Sequence, residues 1–185
     1  QNMKKIRINA GRDTVVVIGG GTMGLLNAAA AKAMGARVIV SELMEKKLQI
    51  AEEMGFEIID AKETDPVAKV KELTAGKGAD IVIVAVGVTA ANNQALEMVK
   101  AKDGKISLFS AGYSVDSNAI HYMRLELIGT FGSTLEDFSD AANMLSEGRV
   151  DVSKLIEQSI PLDNIQEAFE LASKPGSYRV SVKLN

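Results

Sequence analysis

Hydrophobic residues along the chain alternate between short β-branched runs and longer stretches in which apolar residues recur at helical spacing. Thr14-Val15-Val16-Val17-Ile18 is a continuous apolar run, the pattern of a strand buried on both faces of a parallel sheet. Thr22 to Met34, rich in Ala and Leu, predicts a helix that stops at Gly35, a residue suited to the position after a helix end. Arg37 to Ser41 predicts a second strand and Met44 to Met54 a second helix, ended by Gly55. A third strand over Phe56 to Asp60 and a helix over Asp65 to Thr74 follow, punctuated by Gly76 and Gly78. Asp80 to Val86 predicts a fourth strand and Thr89 to Val99 a fourth helix. Gly104 to Phe109 and Leu125 to Gly129 complete the strands, with a short helix between them over Asn118 to Arg124. Thr134 to Ser146 opens on Thr-Leu-Glu-Asp, the sequence of a capped helix start, and stops at Gly148.

Strand–helix units that repeat every roughly 20–25 residues imply right-handed crossovers and a parallel sheet covered on both faces. The fold class is therefore α/β, a doubly wound parallel sheet (Rossmann) over residues 1–149. After Gly148 the rhythm changes. Lys154 to Pro161, a helix over Leu162 to Ala172 and a terminal run from Tyr178 to Leu184 predict a separate, short C-terminal αβ segment over residues 150–185.

Composition narrows the chemistry. The 185 residues carry 24 acidic and 21 basic side chains, a net charge of −3, without the basic surplus of a nucleic-acid binder. No Cys is present, which excludes disulfides and thiolate metal sites, and a single His cannot supply a three-ligand catalytic zinc site. No apolar run approaches the roughly 18–20 residues of a membrane span. Gln1-Asn2-Met3-Lys4-Lys5 lacks the apolar stretch of a signal peptide, so a cytoplasmic protein is expected. Its first residue, Gln rather than Met, fits a cut piece of a longer chain or a tag remnant.

The sharpest chemical signal is Gly19-Gly20-Gly21-Thr22-Met23-Gly24, a G-x-G-x-x-G between the first predicted strand and helix. Gly19 permits the tight turn, Gly21 lets the backbone approach a pyrophosphate, and Gly24 lets the helix pack close to the strand. The helix start at Thr22-Met23 offers unpaired N–H groups and a positive dipole end to phosphates. Glu42 ends the second strand about 20 residues beyond the middle glycine, where a carboxylate accepts the adenosine ribose hydroxyls and repels a 2′-phosphate. The expected cofactor is NAD rather than NADP. Lys47, one helical turn further on, either lies over that ribose or belongs to a solvated helix face. Val86-Gly87-Val88 and Ser110-Ala111-Gly112 fall at the carboxyl edge of the sheet, where small residues admit a nicotinamide ribose or simply make turns. Thr130-Phe131-Gly132 is a similar case. His121 has no Ser, Cys or acidic partner in its local sequence and reads as a structural or surface residue. G-x-S-x-G, H-E-x-x-H and P-loop motifs are missing, and no Tyr is followed by Lys four residues later.

On these residues the chain resembles the coenzyme-binding domain and C-terminal segment of zinc-containing medium-chain alcohol/polyol dehydrogenases. The resemblance rests on Asp13 to Gly21, Ile39-Val40-Ser41-Glu42-Leu43, His121-Tyr122 through Gly129-Thr130-Phe131-Gly132-Ser133, and Ile160-Pro161-Leu162 through Glu167-Ala168-Phe169-Glu170. The His-Tyr pair resembles the sorbitol-type branch. Two departures stand out: Glu42 where the family usually has Asp, and Thr22-Met23 where Pro-Ile is common. The resemblance implies that zinc and its ligands belong to a catalytic domain not represented here, and that Lys154–Asn185 packs on that domain. It implies too that Arg179 touches the cofactor pyrophosphate, a plain surface Arg being the other reading. It further implies that the strand Leu125–Phe131 pairs with a partner subunit in a homo-oligomer.

The expectation is thus the NAD(H)-binding portion of an enzyme that moves hydride between a small secondary alcohol or polyol and NAD. The chain alone would bind NAD and not oxidise alcohols. A stand-alone NAD-binding or regulatory module, and a class I methyltransferase-like domain using S-adenosylmethionine, are the alternatives.

Overall fold

A computed structural model of the chain describes residues 1–110 and 114–184. A short helix α1 (Asn2–Ile6) precedes β1 (Thr14–Ile18), α2 (Thr22–Ala33), β2 (Arg37–Glu42), α3 (Glu45–Glu53), β3 (Glu57–Asp60) and α4 (Pro66–Leu73). The chain continues through β4 (Ile81–Val84), α5 (Thr89–Met98), β5 (Lys105–Leu108), α6 (Ser117–Met123), β6 (Glu126–Gly129) and α7 (Leu135–Ser146). Six of these strands form one parallel sheet in the order β3-β2-β1-β4-β5-β6, the doubly wound Rossmann-type architecture expected.

The two-residue alternation of strand side chains makes two cores from one sheet. Val15, Val17, Val38, Val40, Ile81 and Ile83 face Leu25 and Ala28 of α2 and Ala51 of α3. Val16, Ile18, Ile39, Val82, Val84 and Ile106 face Val67 and Val70 of α4 and Ala91 and Ala95 of α5. Continuous β-branched runs in β1 and β4 are therefore required, because either face exposed to a polar residue would lose one core.

The sequence pattern does not predict α1. Five residues carry too little periodicity to read, and a helix that short depends on tertiary contacts. Asn2 supplies them: its amide donates to Asn27 Oδ1 in α2 and its oxygen accepts from the Ser107 hydroxyl in β5, each at 2.8 Å. Ile6 closes the contact from the same helix, fully buried. Opposite α1, α7 starts with the predicted cap: Thr134 accepts from the Asp137 N–H while Asp137 accepts from the Thr134 N–H.

Beyond α7 a turn at Ser153–Leu155 leads to β7 (Ile156–Pro161), a turn at Leu162–Asn164, α8 (Ile165–Ala172) and β8 (Arg179–Lys183). The predicted helix over Leu162 to Ala172 starts three residues later, because Leu162–Asn164 is a 3₁₀ turn. β7 and β8 pair in parallel as a small sheet of their own. Even so, Leu155 and Tyr178 are buried within the core beneath α2 and α3. No helix among the described residues is long and apolar enough to cross a membrane.

Candidate functional site

The site grows from the point where strand order reverses, between β1 and β4, the place where open α/β sheets bind ligands. β4 ends at Val84, two residues short of prediction, because Ala85 makes the last ladder bond, to Ile18, and the chain then leaves the sheet. On the β1 side Gly19 turns with φ +105°, and a Cβ there would lie 2.4 Å from Val86 Cγ1. A Cβ on Gly24 would lie 1.9 Å from the Gly19 carbonyl oxygen, so α2 starts in direct contact with the turn.

Gly21 is different. It is the N-cap of α2 with ordinary extended backbone (φ −72°, ψ 178°), and its Cβ would meet nothing within 4 Å. The fold does not need a glycine there; the space in front of it does. The first N–H groups of α2 point toward that space without a side-chain cap and without an acidic residue in the first turn, which leaves donors and a positive dipole end for an anion. A cavity of about 390 Å³ opens there, lined by Gly21 to Gly24 on one side and Ser177, Tyr178 and Arg179 on the other.

Glu42 is 8% exposed and turns back onto the glycine turn. Its Oε2 accepts from the Gly20 N–H at 2.7 Å, and its Oε1 from the Leu43 and Met44 N–H groups at 2.7 and 3.0 Å. A carboxylate offers about four acceptor positions, and backbone donors take three of them. Lys47 is half-buried on the first turn of α3 and forms none of the ion pairs among the described residues. Its neighbour Lys46 pairs with Glu157 of β7 at 2.6 Å.

At the carboxyl edge, the Ser110 hydroxyl donates to the Val86 carbonyl at 2.8 Å, tying the ends of β4 and β5 together. Val86 and Gly87 are half-buried, and Val88 is exposed at the N-cap of α5. Ala111 and Gly112 lie outside the described residues. Thr130 and Phe131 do not line the cavity at Gly21. They border a second, largely apolar cavity of about 550 Å³ with Met23, Asn27 and Met144, in which Phe131 is fully exposed and Thr130 Oγ1 is buried with no partner among the described residues. Met23 lines both cavities. His121 stacks edge-on against Tyr122 at an exposed position on α6.

One site residue has no signal in the local sequence. Tyr178 is 5% exposed, and its hydroxyl donates to the Gly20 carbonyl at 2.8 Å across 158 positions of sequence. Burial, with Glu42 and Glu157 nearby, pushes its phenol up to about 12. Among the described residues no three His, Cys, Asp or Glu side chains converge to hold a metal ion, so the donor set for a zinc site is not found there.

A family described as zinc-binding dehydrogenase matches residues 22–147. The chain is 31% identical to a 2-dehydro-3-deoxy-L-galactonate 5-dehydrogenase of Pseudoalteromonas atlantica over 188 residues, covering 100% of this chain and 54% of that protein. It is 31% identical to an (R,R)-butanediol dehydrogenase of Neisseria gonorrhoeae over 163 residues, covering 85% of this chain and 46% of that protein. Among solved structures, a 2R,3R-butanediol dehydrogenase from Bacillus subtilis superposes with TM-score 0.88 at 30% identity, covering 100% of this chain and 54% of that one. An alcohol dehydrogenase from Thermus sp. ATN1, at 24% identity and TM-score 0.87, covers 98% of this chain and 54% of that one and shares the fold. The chain spans about half the length of the curated relatives it matches.

Proposed function

The chain belongs to the zinc-binding dehydrogenase family, and we propose that it is the NAD(H)-binding portion of an alcohol or polyol dehydrogenase. The observation that carries this reading is the cleared space at Gly21, bounded by the uncapped start of α2 and by Arg179. Unpaired N–H groups of Thr22, Met23 and Gly24 and the Arg179 guanidinium fit a pyrophosphate from two sides. Glu42, with one acceptor position left on Oε2, takes one ribose hydroxyl and sets a buried negative charge against a 2′-phosphate. Val86, Gly87 and Val88, with Ser110, give a wall for the nicotinamide ribose. Met23, Thr130 and Phe131 border the neighbouring apolar cavity toward which the ring end extends. Lys47 lies over the adenosine end from α3.

NAD, when bound, supplies the hydride acceptor. The residues of this chain hold and orient it; the zinc of the family and a proton acceptor are assigned to the catalytic portion of the parent protein. The named relatives act on small hydroxy compounds, and a small secondary alcohol or polyol is the proposed substrate class. The chain alone binds NAD without oxidising alcohol. Homo-oligomer formation through the outer edge of β6 is part of the same reading. There Lys5 donates to the Gly129 carbonyl at 2.9 Å, a bond that a pairing strand from a second copy would replace.

Calorimetric titration with NADH and NADPH tests the proposal. Saturable NADH binding is expected, with NADPH weaker by roughly tenfold or more, the scale of one like-charge contact near a protein surface. No binding of either, or equal binding of both, overturns the cofactor assignment or the role of Glu42 respectively.

A further inference from the structure

Three successive glycines make a turn with very large conformational freedom. A ligand that needed the turn ordered would bear that cost at binding. Here the middle peptide is held from both sides before any ligand arrives. Gly20 donates its N–H to Glu42 Oε2 at 2.7 Å, and its carbonyl accepts the Tyr178 hydroxyl at 2.8 Å. The two anchors come from opposite ends of the chain and are themselves joined. Glu42 Oε1 accepts the Met44 N–H at the start of α3, Lys46 of α3 pairs with Glu157 of β7 at 2.6 Å, and Glu157 Oε2 accepts the Tyr178 N–H at 2.8 Å. The polar contacts form a closed circuit: turn, β2 end, α3, β7, Tyr178, turn.

We propose that Tyr178 is a positioning residue of the phosphate-binding turn, fixing the Gly20 peptide from the C-terminal segment so that turn and segment act as one unit. The affinity consequence of this proposal rests on the cofactor reading above; the clamp itself does not. The phenol is necessarily the donor, because the Gly20 carbonyl can only accept. The same anchor delivers Arg179, the next residue, to the cavity at Gly21. A purely structural Tyr178 would act through its buried ring, which Phe retains.

The test is Tyr178→Phe in the intact chain, with Ser181→Ala as a control that disturbs the β7–β8 pair through its contact with Ser159 and not the turn. Amide hydrogen exchange at Gly19 and Gly20 is read without ligand, and NADH affinity is read by calorimetry. Tyr178→Phe is expected to unfold cooperatively, to speed exchange at Gly20 by about threefold to tenfold while β1 amides are unchanged, and to weaken NADH by about the same factor, the scale of one hydrogen bond. Ser181→Ala leaves both readings at wild-type values. A folded Tyr178→Phe with wild-type exchange at Gly20 overturns the clamp. Faster exchange with unchanged NADH affinity overturns the positioning role. Wild-type chain that does not bind NADH refutes the cofactor reading, and the exchange arm still decides the clamp. Should Tyr178→Phe not fold, Glu157→Ala removes the acceptor of the Tyr178 N–H, and the same acceleration at Gly20 is required of it.

Discussion

Three glycines of one motif sit in three different environments, and only Gly21 faces open space. Gly24 is a packing residue: its Cβ would sit 1.9 Å from the Gly19 carbonyl, a contact with backbone that cannot yield. Gly24→Ala is therefore expected to cost about 1–3 kcal/mol of stability, the usual range for overpacking, whether or not ligand is present. Gly21 has extended backbone that Val adopts readily and open space beyond it. Gly21→Val should keep the wild-type unfolding midpoint to within a few degrees and nearly abolish NADH binding, because the side chain would stand in the place proposed for the pyrophosphate. Thermal unfolding and NADH titration on the two variants check this; a Gly21→Val protein with wild-type affinity would show that the space holds no phosphate. The glycine spacing that separates these roles was legible in the sequence, since each role is local to a strand–turn–helix. The direction of Glu42 was not. A side chain one methylene longer than Asp reaches back to the Gly20 N–H, and that reach matters only once the distance between β2 and the turn is known. Tyr178 was less legible still, because nothing near position 178 encodes a carbonyl at position 20.

At the level of elements, legibility follows how local the cause is. β1, β2 and α2 announce themselves through apolar runs, and α7 through Thr134 and Asp137, three residues apart. By contrast α1 exists because Asn2, Asn27 and Ser107 meet across the fold, and no window of sequence contains that meeting. The contact of α1 with α7 carries a pH dependence. Asp137 accepts the Thr134 N–H and faces Lys4 at 3.2 Å, and these interactions hold its carboxyl well below the usual carboxylate range. A folded-state value below the unfolded one means the contribution is fully present at neutral pH and disappears as pH falls from about 4 downward. Asp137→Asn should thus be less stable than wild type at pH 7, and the gap should narrow progressively as pH falls below about 4 in denaturant unfolding. A gap that stays constant across that range would mean that the α1–α7 contact is held by packing alone.

Over the whole molecule, the described residues divide into surfaces that are finished and surfaces that are not. The sheet is covered on both faces, and the glycine turn is braced by Glu42 and Tyr178. Binding of a dinucleotide therefore requires little that this chain lacks. Chemistry on an alcohol requires more: an electrophile to polarise the oxygen and a base for its proton. The side chains of Val86, Val88 and Met23 offer neither, the Ser110 hydroxyl is committed to the Val86 carbonyl, and the one His lies exposed on α6. The purified 185-residue chain, saturated with NAD and supplied with secondary alcohols or polyols, is accordingly expected to form no NADH above the blank at 340 nm, with or without added zinc, while still binding NADH. Gly21→Val supplies the control, since any rate that survives its loss of cofactor binding belongs to a contaminant. An alcohol-dependent rate that persists in chelator and vanishes in Gly21→Val would show that this chain carries a proton acceptor of its own, and would move the catalytic apparatus back into the apolar cavity beside Met23 and Thr130.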